Sequence, residues 1–301
     1  LDENAPGVKY ADVFRKLSTI DVEGVISFAK EYKPDGVMTL ATDLPVRTVA
    51  AVSMELGLNY FSEEVALKAT DKVRMIKCFE KNCIPHPWYE VVSNKEDVVN
   101  LLNTRDVPFI IKPNESSGSK GVILVNNKED IFKAYEYSKN QSKTGIVLIE
   151  EYMKGPEVSV ETITVNRKTK VIAITDKLTT GSPYFVEMGH SQPSRLDKQI
   201  IKQIENIAIK AVEALGIDNS PAHVEIIVTD KGPKLVEIGA RLGGDNISTN
   251  LVKLSTGLDF LKSTILLAMG EKTNFNINQN RASAIRYIEV PKGKIISIDG
   301  I

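Results

Sequence analysis

The hydrophobic pattern of the first seventy residues predicts helices and strands in alternation. Residues 21–33 place apolar side chains three or four positions apart, which predicts an amphipathic helix. The short apolar run at 36–40 is typical of a buried strand, and a second helix is predicted over 43–57, with a proline in its first turn and a glycine at its end. This alternation favours a parallel, doubly wound sheet whose ligands bind beyond the carboxyl ends of the strands, here near Asp43.

The hydrophobic pattern changes after the prolines at positions 85 and 87, where short apolar and alternating runs predominate. These runs are separated by turn residues and by long amphipathic stretches, so we predict an α+β architecture for this part. Strands are predicted at 107–113, 121–125, 146–150, 157–165, 171–178, 222–229, 234–238 and 282–290. Helices from residue 70 onward are predicted at 70–83, 127–139, 195–215, 246–255 and 257–269.

The 301 residues carry 38 Lys and Arg against 39 Asp and Glu, so the formal net charge is −1. This balance gives no electrostatic basis for a nucleic-acid or membrane-surface partner. No apolar run is long enough to span a bilayer. Cys78 and Cys83 lie five positions apart and cannot supply a disulfide framework or a zinc quartet. A reduced, cytoplasmic setting is therefore expected.

A turn rich in Gly and Ser lies at 114–121, between two predicted strands and directly after Lys112. Small residues let backbone N–H groups approach a phosphate closely, while Lys112 and Lys120 supply positive charge. The segment is not a P-loop, because no Gly-Lys-[Ser/Thr] motif opens a helix here. The alternative is a solvated hairpin turn, although Lys112 sits in an apolar strand, where an unpaired lysine is costly.

Two glutamates, Glu225 and Glu237, lie within apolar predicted strands that a short turn at 230–233 connects. This turn can place the strands side by side with both carboxylates on one face. Two carboxylates, completed by phosphate oxygens and water, suit Mg²⁺. The alternative is a pair of structural acids neutralised by Arg241 or by a nearby lysine.

Polar groups also mark two other strand ends. The segment 150–157 offers backbone to a purine edge and Glu157 to ribose hydroxyls, although an acidic loop is the alternative. Arg241 follows the strand of Glu237 within a Gly-rich turn. A guanidinium in that position suits stabilisation of a transferring phosphoryl group.

In this order and spacing, these features resemble the ATP-grasp superfamily, and among its members the stand-alone carbamoyl-phosphate-synthase-like and L-amino-acid-ligase-like proteins. The resemblance implies an α/β and α+β fold with a partial Rossmann-like domain at 1–70. An ATP-grasp subdomain with a glycine-rich lid would occupy 71–155, a second one with the Mg–ATP site 156–270, and C-terminal strands 271–301. The first strand, Gly-rich turn and helix of the Rossmann-like domain are expected to precede this sequence, and the C-terminal strands to be incomplete.

The resemblance also implies a role for each residue at a matching position. Arg241, Lys112 and His190 would be catalytic, and Glu225 and Glu237 would hold Mg²⁺, as two ions, with Mn²⁺ as a substitute. The ATP-binding set would be Lys72, Lys112, Ser116, Ser117, Gly118, Ser119, Gly121, Glu150, Glu151, Tyr152, Met153 and Glu157. The substrate set would be Lys177, Glu187, His190 and Arg241.

One position departs from the pattern of the superfamily. Gly239 stands where many members have an Asn, two positions after the second metal-binding Glu. Because that ligand is lost, water, Asp245 or Asn246 is expected to substitute for it.

We expect a different role for each of the three histidines. The pattern Glu187-x-Gly-His190 resembles the substrate loop of this subgroup, where His190 would orient a carboxylate or transfer a proton. The alternative for His190 is a surface-loop histidine with a local hydrogen bond. His86, between two prolines, is expected to be structural, and His223 to support Glu225, whose face it shares.

The resemblance implies an ATP- and Mg²⁺-dependent carboxylate–amine ligase that acts through an acyl phosphate and releases ADP and phosphate. Two alternatives stay open: carbamoyl-phosphate or bicarbonate chemistry, and a nucleotide-binding module with little turnover. Small carboxylates and amines are the expected substrates, and a homodimer is compatible with the resemblance. The identity of the acid and of the nucleophile cannot be predicted, because fold-level analogy does not select a ligand.

Overall fold

Two antiparallel sheets with helices packed on their faces make up the chain in a computed structural model, which describes residues 2–116, 118–182, 185–290 and 292–300. The mixed α/β fold class is thereby confirmed. The strands are β1 (Tyr89–Val92), β2 (Phe109–Pro113), β3 (Ile123–Val125), β4 (Val147–Glu151), β5 (Glu157–Val165), β6 (Lys168–Thr179), β7 (Glu187–Gln192), β8 (Ser220–Thr229), β9 (Gly232–Gly239) and β10 (Ser283–Arg286). The helices are α1 (Val22–Tyr32), α2 (Val46–Leu56), α3 (Glu63–Thr70), α4 (Lys72–Lys81), α5 (Lys95–Leu102), α6 (Ile131–Gln141), α7 (Lys198–Leu215), α8 (Val252–Thr256) and α9 (Phe260–Ala268).

The N-terminal segment differs from the prediction in one respect. Residues 2–88, all described, contain α1 to α4 but no strand, so the strand predicted at 36–40 and the parallel sheet built on it are wrong. The apolar run has no neighbouring strand to pair with. Its last carbonyl, that of Leu40, instead accepts a hydrogen bond of 3.1 Å from the backbone of Leu242, in the turn after β9.

The smaller sheet has the strand order β1-β4-β2-β3 and is covered by α5 and α6. Its core centres on two fully buried aromatic residues, Phe109 and Tyr135. Trp88 packs edge-on against Phe109, with ring centroids 6.3 Å apart. Pairing of β2 with β4 brings Lys112 and Glu150 close together, so this sheet positions one of the predicted ATP-binding pairs.

The larger sheet has the strand order β10-β7-β6-β5-β8-β9. Alternation along β5 assigns its two faces: Val158 and Val160 lie in the core that α7 covers, while Ser159 and Glu161 point the other way. Helices α8 and α9 pack against one end of that second face. The other end of this face carries the polar side chains described below.

Shortening Phe109 to Ala is expected to destabilise the chain by about 3–5 kcal/mol, because the ring is fully buried and its loss leaves a cavity. Urea denaturation measures the change. Phe132→Ala, in α6 of the same sheet layer, is the matched control, since Phe132 is 39% exposed and should cost about 0.5 kcal/mol or less. Equal losses in the two variants would contradict the assigned core.

Candidate functional site

One surface of the larger sheet, which we call the polar face, brings together five of the predicted site residues, including both candidate metal ligands. The strand pairing sets Ser159 opposite Glu225, Glu161 opposite His223 and Lys177 opposite His190. Because side chains alternate between faces, residues in these registers share one side of the sheet. The polar face consists of Glu157, Ser159, Glu161, Lys177, His190, His223, Glu225 and Glu237.

Glu225 and Glu237 are direct cross-strand partners on β8 and β9, as expected from the short turn between the strands. Partners in an antiparallel pair have Cβ atoms about 4.5–5.5 Å apart, so the two carboxylates face a common space. Each is contacted by a different lysine: Glu225 Oε1 lies 3.0 Å from Lys177 Nζ, and Glu237 Oε1 lies 3.0 Å from Lys72 Nζ. The pair therefore offers two oxygen ligands, each in contact with one lysine.

Lys177 lies near the middle of the sheet and contacts three glutamates. Its Nζ lies 2.7 Å from Glu157, 2.9 Å from Glu187 and 3.0 Å from Glu225, and its side chain is 5% exposed. Burial alone would lower the pKa of Lys177, but the three carboxylates outweigh it and hold that pKa well above its usual value. For Glu225 burial would raise the pKa, but the Lys177 charge holds it well below its usual range.

A buried ion pair between His223 and Glu161 lies next to Glu225, one of the two candidate metal ligands. Glu161 also accepts hydrogen bonds from Gly243 N at 3.0 Å and from Ser248 Oγ at 2.8 Å. Burial would lower the pKa of His223, but Glu161 outweighs it and raises the pKa to about 9. His223 Nε2 lies 3.5 Å from Glu225 Oε1, which fits the expected supporting role.

The glycine-rich turn meets the polar face through Lys72, the first residue of α4. Lys72 Nζ donates a hydrogen bond to the Ser116 carbonyl and also contacts Glu237. Gly118, Ser119 and Gly121 adopt left-handed backbone with φ of 64°, 55° and 80°, a conformation that glycine favours. Ser117, which was assigned to the same turn, lies outside the described residues.

Lys112 and Glu150 form a separate buried pair on the smaller sheet. Lys112 Nζ lies 2.7 Å from Glu150 Oε2, and the two side chains are only 7% and 6% exposed. The sequence analysis predicted that both residues contact ATP. Their ion pair also neutralises the charge of Lys112, which would otherwise be unpaired within an apolar strand.

Removing the charge of Lys112 is expected to cost about 3–5 kcal/mol of stability, because Glu150 would be left as an uncompensated buried carboxylate. Thermal or urea denaturation of Lys112→Ala without nucleotide measures this loss. The double variant Lys112→Met/Glu150→Leu removes both charges and should recover most of the stability. A double variant as unstable as Lys112→Ala would show that the penalty does not come from the orphaned charge.

The segment 150–153, at the end of β4, was predicted to contact adenine, and its side chains pack against other parts of the chain. Glu151 Oε2 accepts a hydrogen bond of 2.7 Å from Lys234 Nζ and one of 3.3 Å from Trp88 N. The Tyr152 ring lies 6.3 Å from the Phe185 ring, and Met153 is buried. These contacts fix the backbone that the sequence assigned to the purine edge.

Arg241 is fixed by an acid that the sequence-based site did not include. Its Nε and Nη2 donate to Asp43 Oδ1 and Oδ2, both at 3.0 Å. Burial would lower the pKa of Arg241, but Asp43 raises it. A Cβ at Gly239 would lie 2.9 Å from Asp43 Oδ1 and 3.0 Å from Arg241 Cζ. A side chain such as Asn at position 239 would therefore displace this ion pair.

Glu187, His190 and Asp245 converge at the side of the polar face, a group that we call the His190 cluster. His190 Nε2 lies 3.4 Å from Glu187 Oε2 and 3.7 Å from Asp245 Oδ2. His190 is fully buried, so the alternative of a surface-loop histidine is wrong. The neighbouring Glu187 carboxylate raises the pKa of Asp245. Asp245, which was suggested as a substitute for the Asn ligand, lies next to the predicted substrate residues Glu187 and His190.

Comparisons with known proteins identify the domain. Residues 105–250 match the model of the ATP-grasp domain. A curated relative, alanine–anticapsin ligase of Bacillus subtilis strain 168, is 29% identical over 261 residues, which cover 79% of this chain and 54% of the ligase. The resemblance to the ATP-grasp superfamily is confirmed, and the chain spans about half the length of that relative.

Solved structures show the same fold. The L-amino acid ligase from Bacillus licheniformis superposes with a TM-score of 0.76 at 23% identity, over 90% of this chain and 66% of that one. Biotin carboxylase from Campylobacter jejuni, in a β-γ-ATP complex, superposes with a TM-score of 0.78 at 19% identity, over 92% of this chain and 66% of that one. No helix within the described ranges is both long and apolar enough to cross a membrane.

Proposed function

We propose that this chain, which carries an ATP-grasp domain, is the nucleotide-binding part of an ATP- and Mg²⁺-dependent carboxylate–amine ligase. The observation that carries the proposal is the cross-strand pair Glu225 and Glu237, with Lys72 bridging Glu237 to the Ser116 carbonyl of the glycine-rich turn. Two acids, a lysine and the backbone of the glycine-rich turn are thereby brought together. Phosphoryl transfer requires this combination of positioning and charge.

The charge balance of the polar face and its border supports a Mg²⁺ site at Glu225 and Glu237. Among the described residues, the carboxylates there outnumber the cationic groups, so the face can accept added positive charge. The carboxylates are those of Asp43, Glu157, Glu161, Glu187, Glu225, Glu237 and Asp245. The cationic groups are Lys72, Lys177, His223 and Arg241. Oxygen ligands suit Mg²⁺, which when bound would neutralise charge on the phosphates; we infer two ions, with Mn²⁺ as a substitute.

The remaining polar groups fit the parts of ATP. Lys72 and Lys112 would contact the phosphates, and the turn from Ser116 to Gly121 would cover them. The fixed segment from Glu150 to Met153 would contact adenine. Glu157 would accept hydrogen bonds from the ribose, after exchanging its present contact with Lys177.

The reaction would proceed in two steps: phosphoryl transfer to the substrate carboxylate, and then displacement of phosphate by an amine. A carboxylate oxygen of the substrate attacks the γ-phosphorus, the bond to the β-phosphate oxygen breaks, and ADP leaves. An amine then attacks the acyl carbon of the acyl phosphate, phosphate leaves with the bridging oxygen, and the amine loses a proton. Arg241, oriented by Asp43, would stabilise the charge on the transferring group, and Lys177, Glu187 and His190 would contact the substrates.

Substrate-stimulated ADP release tests the proposal. The chain is mixed with ATP, Mg²⁺ and pools of amino acids and small acids, and ADP is measured with and without each pool. Amino acids are the first choice, since the name of the relative describes a ligation with alanine. Release that requires both Mg²⁺ and an amino acid is expected. Stimulation by bicarbonate alone would favour the carboxylase-like alternative, and ATP binding without any stimulated release would favour a binding module.

A further inference from the structure

The His190 cluster lies beside the Glu225–Glu237 pair, since Lys177 contacts both Glu187 and Glu225, and its geometry carries an inference beyond the substrate contacts proposed above. Glu187 and His190 come from β7, while Asp245 comes from the turn after β9. The ligand atoms of the three side chains lie within 4.8 Å of one another. Two carboxylates and an imidazole therefore face a common point.

The buried histidine is the second observation that points to a ligand. His190 is 0% exposed, and neither of its ring nitrogens has a hydrogen-bond partner among the described residues. A buried polar group without a partner is costly, so an orphaned imidazole in a native structure calls for an explanation. Its Nε2 lies 3.4 Å from Glu187 Oε2 and 3.7 Å from Asp245 Oδ2, and neither contact has the geometry of a hydrogen bond.

Those distances agree with shared coordination of a cation. Zinc–nitrogen and zinc–oxygen bonds are about 2.0–2.2 Å long, so neighbouring ligand atoms of a tetrahedral site lie about 3.4 Å apart. The observed separations from His190 Nε2 are close to this value. Lys177 contacts the other oxygen of Glu187, Oε1, which leaves Oε2 to face the histidine.

We propose that Glu187, His190 and Asp245 form a second metal site, for a divalent transition metal such as Zn²⁺, distinct from the Mg²⁺ site at Glu225 and Glu237. The imidazole decides the choice of metal, since nitrogen ligands suit Zn²⁺ whereas Mg²⁺ prefers oxygen. The Asp245 side chain is 49% exposed, so one side of the site is open to water or to an anionic group of the substrate. Three protein ligands with one open position are the pattern of catalytic zinc sites.

Equilibrium dialysis tests the site without nucleotide or turnover, so its outcome is independent of the ligase proposal. The chain is stripped with a chelator and dialysed against micromolar Zn²⁺, and bound metal is counted by mass spectrometry. One Zn²⁺ per chain is expected to depend on the cluster and to be lost in Asp245→Asn and His190→Gln. Asp245 is partly exposed, so Asp245→Asn should keep the fold even if His190→Gln does not.

Matched variants separate this site from adventitious binding. Glu237→Gln, His86→Asn and Cys83→Ser should each retain the cluster-dependent Zn²⁺. Cobalt substitution should give visible absorption bands of a nitrogen–oxygen site that disappear in Asp245→Asn. No Zn²⁺ bound, equal binding in Asp245→Asn and the unaltered chain, or loss of the ion in Glu237→Gln would each overturn the proposal.

Discussion

Glu237→Gln is expected to reduce Mg²⁺-dependent ADP formation by about 1,000-fold, because one of the two proposed carboxylate ligands of the metal loses its charge. A metal ion contributes several kcal/mol of transition-state charge stabilisation, and about 4 kcal/mol corresponds to about three powers of ten in rate. Steady-state ADP release with the stimulating acid measures the effect. The Mg²⁺ concentration for half-maximal rate should rise as well, since Glu237 would bind the ion directly.

The matched control for this variant is Glu213→Gln, an exposed glutamate on α7. It makes the same chemical change away from the polar face and should leave ADP formation unaltered. Far-ultraviolet circular dichroism checks that both variants are folded. Undiminished turnover in Glu237→Gln would contradict its assignment as a metal ligand.

Arg241→Ala is expected to lower kcat by about 100- to 1,000-fold, the cost of removing one preorganised donor to a charged transition state. The guanidinium is held by two hydrogen bonds to Asp43, so it is already oriented before the substrate binds. Arg241→Lys should recover little of the loss, because an ammonium cannot reproduce the two-pronged contact. Single-turnover measurement of ADP formation separates the chemical step from binding.

Arg195→Ala serves as the control for Arg241, since the Arg195 side chain is exposed. Its kcat should equal that of the unaltered chain. A role of Arg241 in folding alone predicts a different result: kcat per folded molecule would be preserved while the unfolding midpoint falls. That outcome would remove Arg241 from the catalytic set.

Much of the larger sheet could be predicted because its residues carry short-range signals. Alternation along residues 157–165 predicted β5, and the short turn at 230–233 predicted the pairing of β8 with β9. This pairing put Glu225 opposite Glu237, so the geometry of the candidate metal ligands followed from the sequence. Their role as metal ligands stays a prediction. The division of the chain into segments 1–70, 71–155, 156–270 and 271–301 also stays a prediction.

Other elements were missed although their signals were local. Helix α3 begins after Ser62, whose side chain accepts a hydrogen bond from Val65 N, and α5 begins with a capping box of Asn94 and Asp97. Both helices have only eight residues, which gives too little periodicity to distinguish them from loops. Strand β1 was missed for the same reason, since it has four residues.

Asp43 and Glu161 were missed as site residues because their importance depends on partners far away in the chain. Asp43 binds Arg241, 198 positions later, and Glu161 binds His223, 62 positions later. The sequence did place a ligand near Asp43, but through a parallel sheet that is not formed. A charged residue within a strand of alternating apolar residues is unusual, so the position of Glu161 in the segment 157–165 is a signal that could have identified it as a site residue.

Oxygen transfer from the substrate carboxylate to phosphate tests the central claim most directly. The acid that stimulates ADP release is labelled with ¹⁸O in its carboxylate, and the phosphate released with ADP and product is examined by mass spectrometry. Reaction through an acyl phosphate predicts one ¹⁸O atom in each phosphate, because the bridging oxygen comes from the carboxylate. Unlabelled phosphate from labelled acid, with label entering only from ¹⁸O-water, would show hydrolysis of ATP and contradict a carboxylate ligase.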